Sequence, residues 1–145
     1  MRTKDILYPT DFSETASHAM EHVIEMANLY GVNVRVLHVT SDTVSAHYYG
    51  IAVSTPVALE QKLAAFVDSK MAQLTQSLRS RLNESINVSA VVRHGDVVDE
   101  ILAESDDVGL VIIASHGDTG LKHFLRSQVA EAVVNRAKCP VLVVK

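Results

Sequence analysis

The hydrophobic pattern of the chain switches repeatedly between two periods, and this switching predicts an alternating α/β fold. Five short segments are apolar throughout or alternate with a period of two, as β-strands do. Between them, apolar residues recur at intervals of three and four positions, as in helices that bury one face. The predicted strands are Ile6–Tyr8, Val34–Val39, Ile86–Val92, Leu110–Ala114 and Val141–Val144.

Four predicted helices separate these strands. The first runs from Ala16 to Tyr30 and stops at Gly31, since glycine readily adopts the left-handed conformation that ends many helices. The second covers Leu63–Leu82, the third Val97–Leu102 and the fourth Val129–Ala137. Because a strand followed by a helix returns parallel to its neighbour, these elements predict three layers, with helices on both faces of an open parallel sheet.

The strand order 3-2-1-4-5 fits the character of these segments. The first and fourth strands are uninterrupted apolar runs, as central strands covered on both faces are. The third has Asn87 and Ser89 between apolar residues, which is typical of a half-exposed edge strand. In this order the winding reverses between strands 1 and 4, and ligands of open α/β sheets bind at such a switch point, beyond the carboxyl ends of the strands.

Polar, turn-forming loops follow both strands at this switch point. Pro9–Glu14 comes after the first strand, and Ser115–Gly120 comes after the fourth. Asp11 precedes Glu14 by three residues, the spacing of a capping box, so it is a candidate either for a ligand contact or for a helix cap. Ser13 is the alternative cap. His116 is a candidate acid or base toward a bound ligand.

Four motifs, in this order along essentially the whole chain, resemble the universal stress protein family. They are the turn Pro9–Ser13, the strand segment Val36–Val39, the Ser-His-Gly sequence at 115–117 and the closing segment Cys139–Val144. The resemblance implies an adenine nucleotide alpha hydrolase-like (Rossmann-like) fold. It also implies a cytoplasmic homodimer that acts in stress tolerance as a binding and interaction module, not as an enzyme.

Nucleotide-binding members of that family have the pattern Gly-x-x-Gly, nine residues, then Gly and Ser or Thr after strand 4. Glycines there let the backbone approach the phosphates, and the last pair opens a helix whose free N–H groups favour anions. This chain has Ala114, Gly117 and the pair Ser127-Gln128 at these positions, so two of the three glycines are replaced. Asp11 matches the family position that contacts the nucleoside, and Val39 matches one that lies along the base.

The resemblance therefore implies that ATP or another adenine nucleotide binds weakly, with Mg²⁺ only as a companion of the nucleotide. The alternative is a nucleotide sensor or slow ATP hydrolase with His116 as general base, although no nucleophile and orienting carboxylate stand beside it at motif spacing. The candidate nucleotide contacts are Pro9, Thr10, Asp11, Val39, Ala114, His116, Gly117, Ser127 and Gln128.

The fifth strand predicts a dimer. Its residues Val141, Leu142, Val143 and Val144 have no polar alternation, and no charge follows until Lys145. In the order 3-2-1-4-5 this strand is an edge, and an apolar edge with unpaired backbone groups invites pairing with another chain. A symmetric pairing of two copies closes the assembly, and the family resemblance implies the same homodimer.

Composition narrows the remaining function classes. With 145 residues, 48% of them hydrophobic, the chain fits one domain over 1–145. Its net charge of -4 does not indicate the positively charged surface that nucleic-acid binding requires. No segment has the length of a membrane span, and the single cysteine suits the reducing cytoplasm. His18 and His22 are four residues apart on the first helix but lack a third ligand, so no metal site is predicted.

Overall fold

Strands and helices alternate along the chain as its hydrophobic pattern predicts. The computed structural model describes residues 4–40, 56–115 and 127–145. The strands are β1 (Ile6–Pro9), β2 (Val34–Thr40), β3 (Val88–His94), β4 (Leu110–Ala114) and β5 (Val141–Val144). The helices are α1 (Glu14–Tyr30), α2 (Pro56–Arg81), α3 (Val97–Ser105) and α4 (Ser127–Arg136).

The five strands form one parallel sheet in the order β3-β2-β1-β4-β5, which confirms the predicted order. In the register of the central strands, Ile6 of β1 lies opposite Val34 of β2 and Leu110 of β4. Every residue of β1 and β4 is buried, as the unbroken apolar runs indicate. In this strand order, β2 and β3 are added on one side of β1, and β4 and β5 are added on the other. The direction of winding thus reverses between β1 and β4, in the middle of the sheet.

Each face of the sheet packs against its own pair of helices. Alternate residues of a strand point to opposite faces, so Ile6 and Tyr8 join the α1 and α2 side, whereas Leu7 joins the α3 and α4 side. Val23 of α1 and Met71 of α2 are buried in the first cluster, and Ile101 of α3 and Val133 of α4 are buried in the second. These are the helix positions that the predicted apolar stripes contain. Among the described residues, no helix combines the length and the hydrophobicity that a membrane crossing requires.

The limits of β3 differ from the prediction. The strand begins at Val88 and ends at His94, two residues later at each end than the predicted Ile86–Val92. The backbone N–H of Ile86 donates to the carbonyl of Asn83 in a turn, although the Ile86 side chain is buried in the core. The alternation of buried and exposed side chains therefore begins at Ile86, before β3 itself begins at Val88. A side chain can be buried without a strand backbone.

Helix α1 has the ends that its sequence predicts. Ser13 is its N-cap, with the Ser13 hydroxyl accepting from the backbone N–H of Ala16. Gly31 ends it in the left-handed conformation, with φ of 65°, and its N–H donates to the carbonyl of Ala27. This fixed start brings the turn that follows β1 against the carboxyl end of the sheet.

Candidate functional site

The described residues of the switch point enclose a narrow cleft at the carboxyl ends of β1 and β2. Its volume is about 10 Å³. Asp11, at the start of the turn, and Val39, near the end of β2, both line this cleft, and α3 closes it from the other side. The remaining lining residues are Pro9, Thr10, Leu37, Val97 and Ile101. Four of the sequence-predicted site residues therefore lie together: Pro9, Thr10, Asp11 and Val39.

The turn from Thr10 to Ser13 is held by a dense set of hydrogen bonds. The Thr10 N–H donates to the carbonyl of Leu37 at 2.8 Å, and the Phe12 N–H donates to the Thr10 hydroxyl at 3.1 Å. The Ser13 N–H donates to Oδ1 of Asp11 at 3.0 Å, an interaction typical of Asx turns. Asp11 thus shapes the turn, and Ser13 is the helix cap, whereas a ligand contact of Asp11 stays a prediction.

Phe12 is the one residue other than glycine with a positive φ among the described residues, at 64°. A bulky side chain seldom adopts this region, and such strain persists only where neighbouring contacts impose it, at a cost of roughly 1–3 kcal/mol. The Phe12 ring stacks on the imidazole of His38, with ring centroids 4.3 Å apart. A side chain of β2 therefore holds the ring of the strained residue Phe12 in place.

His38 is completely buried beneath this turn. Its Nδ1 lies 2.9 Å from the carbonyl oxygen of Thr10, and because that oxygen can only accept, Nδ1 carries the proton and donates. Burial lowers the pKa of the His38 imidazole, since the interior disfavours the charged form, while the Thr10 carbonyl acts in the opposite direction. The neutral ring is thus a hydrogen-bond donor to the turn, a role that sequence reasoning missed.

A second, larger cavity lies on the α1 and α2 face of the sheet, with a volume of about 220 Å³. Thr10 lines this cavity as well as the cleft, and Phe12 forms part of its wall. The Tyr8 hydroxyl donates to the carbonyl of Ala16 at 2.7 Å, and burial raises the pKa of that phenol well above its ordinary value. The other lining residues are Ser13, Ser17, Lys70, Gln73 and Leu74. The two spaces are thus separated by the same turn.

The other predicted site residues belong to β4 and α4. Ala114 ends β4 and is 1% exposed, and the next residue, Ser115, donates its N–H to the carbonyl of Val144. Ser127 and Gln128 begin α4, so they occupy the helix start that the family pattern implies. His116, Gly117 and the side chain of Ser127 lie outside the described residues.

The histidines of α1 are exposed, and the described ranges contain no group of three or more His, Cys, Asp or Glu side chains arranged to hold a metal ion. Between His18 and His22 on the chain lies Glu21, which pairs with Arg81 of α2 at 2.6 Å. This ion pair connects α1 to α2.

Comparisons with known proteins agree on one family. A family model described as the universal stress protein family matches residues 2–145. Universal stress protein MJ0577 of Methanocaldococcus jannaschii is 33% identical over 153 aligned residues, which cover 98% of this chain and 94% of that protein.

Two solved structures share the fold. Universal stress protein UspA from Lactobacillus plantarum is 22% identical with a TM-score of 0.75, and the match covers 98% of this chain and 97% of that one. The universal stress protein from Archaeoglobus fulgidus in complex with dAMP is 19% identical with a TM-score of 0.68, and the match covers 100% of both chains.

Proposed function

This chain belongs to the universal stress protein family, and on that premise we propose that it is a non-catalytic, cytoplasmic binding module of the stress response that takes an adenine nucleotide weakly. The nucleoside would lie in the cleft at the carboxyl ends of β1 and β2, and the phosphates would extend toward the start of α4. Two copies would join through β5.

The observation that carries this proposal is that Asp11 and Val39 line one cleft. A carboxylate accepts hydrogen bonds from ribose hydroxyls, and Val39 with Leu37 offers apolar surface to a base. The dAMP bound to the Archaeoglobus fulgidus protein supports an adenine nucleotide as the ligand class.

The size of the cleft supports weak binding. Its volume of about 10 Å³ is close to that of a single water molecule, far below an ordinary ligand pocket. Within the space that the described residues line, a purine fits between Asp11 and Val39 only if side chains such as Val97 move away from β1 and β2. The free energy of that movement subtracts from the affinity.

The phosphate end supports the same conclusion. The N–H groups at the start of α4 favour an anion. However, the family pattern has glycine where this chain has Ser127, and a β-carbon there reduces the room for terminal phosphates. We therefore expect the phosphates to add little to the binding free energy of the nucleoside.

The dimer is supported by the backbone of β5. The carbonyl of Pro140 accepts a hydrogen bond from the N–H of Val111 in β4, and the carbonyl of Val144 accepts one from the N–H of Ser115, the residue after β4. Because backbone groups in a parallel strand alternate between its two neighbours, those of Val141 and Val143 point away from β4. β5 is the end strand of the sheet, and these groups are suited to pair with the same strand of a second copy.

Calorimetry with adenosine, AMP and ATP tests the nucleotide proposal. For the wild-type protein we expect all three to bind with similar dissociation constants, weaker than about 10 µM. The double variant Ser127→Gly, Gln128→Ser should bind ATP at least about tenfold more tightly and leave adenosine unchanged. Sub-micromolar ATP binding by the wild type, or release of phosphate from ATP, would contradict the proposal.

A further inference from the structure

We infer that His38 is a positioning residue, which acts across the sheet to hold the Thr10–Ser13 turn in the conformation that directs Asp11 toward the cleft. The inference rests on the proposed function for its ligand, but it makes a separate claim about the turn. His38 itself does not line the cleft.

The alternation of β2 puts His38 on the opposite face of the sheet from the cleft. Leu37 and Val39 line the cleft on the α3 side. His38 lies between them in sequence, so its side chain points to the α1 and α2 side, where it stacks on Phe12. A change at His38 therefore removes no surface from the cleft, and the contacts of His38 with Thr10 and Phe12 connect it to Asp11 through the turn.

His38 contacts the turn at two points, one on either side of Asp11. Its Nδ1–H donates to the Thr10 carbonyl at 2.9 Å, and its ring lies against Phe12 at 4.3 Å between centroids. The residues on both sides of Asp11 thus contact one side chain that is fully buried in the core, Thr10 through its carbonyl and Phe12 through its ring.

The contacts of His38 stabilise the strained backbone conformation of Phe12. With φ at 64°, Phe12 would relax to negative φ in an isolated turn. Relaxation would rotate the peptide groups around Asp11 and break the bond between the Ser13 N–H and the Asp11 carboxylate. Strained residues that neighbouring contacts over-determine are concentrated at functional sites, and this one is adjacent to the proposed nucleoside contact.

Three variants separate positioning from packing. His38→Leu removes the donor and the aromatic ring, whereas His38→Asn keeps an N–H donor near the place of Nδ1. Leu78→Ala is the matched control, because Leu78 is fully buried on the same face of the sheet but belongs to the far end of α2. It lowers the global stability without touching the turn.

Amide hydrogen exchange without nucleotide gives the first measurement. In His38→Leu we expect the N–H groups of Phe12 and Ser13 to exchange at least about tenfold faster than global destabilisation accounts for, with Leu78→Ala as the calibration. His38→Asn should restore most of the protection. Equal exchange of these two amides in His38→Leu and Leu78→Ala would overturn the inference.

The affinity for AMP gives the second measurement. We expect His38→Leu to weaken AMP binding about tenfold, and His38→Asn and Leu78→Ala to stay close to the wild type. If His38→Leu does not fold, His38→Phe keeps a ring against Phe12 and lacks only the donor, and the same results are expected. A wild-type protein that fails to bind AMP would contradict the proposed function, while the exchange data would still decide the role of His38.

Discussion

The turn after β1 assigns a different role to each of its residues. Thr10 ties the turn to β2, Asp11 folds it, Phe12 takes the strained conformation and Ser13 starts α1. Because Asp11 uses Oδ1 for the Ser13 N–H, its structural role and its proposed ligand role depend on different properties of one side chain. The structural role needs an acceptor oxygen, whereas recognition of a nucleoside benefits from the charge.

Asp11→Asn separates these roles. The amide keeps an acceptor oxygen for the Ser13 N–H, so we expect the free energy of unfolding in denaturant to fall by less than about 1 kcal/mol. AMP affinity should fall about tenfold, since hydrogen bonds to a charged acceptor are the stronger ones. Ser13→Ala is the reverse control, because loss of the N-cap should cost about 1 kcal/mol of stability. Asp11→Asn with unchanged AMP affinity would contradict the ligand role.

The sequence indicates which residues of the turn are candidates for a site, but it does not indicate the geometry of the turn. The motif draws attention to Asp11, and helix-start chemistry draws attention to Ser13. Phe12 carries no such signal, because phenylalanine has no preference for positive φ. His38 is a strand residue, and its contacts in the turn, Thr10 and Phe12, are 28 and 26 positions away in sequence, so the pairing of β1 with β2 is needed to bring them together.

At the scale of elements, the fold follows from the pattern because each element buries one periodic face. The central position of β1 and β4, the edge position of β3 and the stop of α1 at Gly31 were all predictable from local sequence. The two-residue shift of β3 was not, since Ile86 continues the alternation inside a turn.

A network of charges fixes α3, the outer wall of the cleft, in a way that no local pattern indicates. Glu104 of α3 accepts from Arg35 of β2 at 3.1 Å and from Arg93 of β3 at 2.6 Å. Its side chain is only 10% exposed, so both guanidinium groups compensate a largely buried carboxylate. Val97 and Ile101, which line the cleft, are thereby held against β1 and β2.

At the scale of the whole molecule, the sheet ends at β5 with outward-pointing backbone groups, and the proposed dimer would continue it across a two-fold axis. Val143→Pro removes an outward N–H without touching the bonds to β4, because proline is tolerated at the outer side of an edge strand. We expect this variant to sediment as a monomer at tens of micromolar, a concentration at which we expect the wild type to sediment as a dimer.

The matched control is Val143→Ala. Like Val143→Pro it removes the valine side chain, but it keeps the backbone N–H. It should remain a dimer, because the proposed interface depends on backbone pairing. If the wild type is a monomer, or if the alanine and proline variants dissociate equally, pairing through the backbone of β5 is wrong.

In the proposed function, an adenine nucleotide binds between Asp11 and Val39. The most direct test of this binding is a titration of the isotope-labelled protein with AMP, followed by amide chemical shifts residue by residue. We expect progressive shifts in fast exchange that saturate at millimolar AMP, as weak binding requires, and that are largest at Thr10, Asp11 and Val39. An absence of shifts at millimolar AMP, or shifts centred away from the carboxyl ends of β1 and β2, would contradict the proposed function.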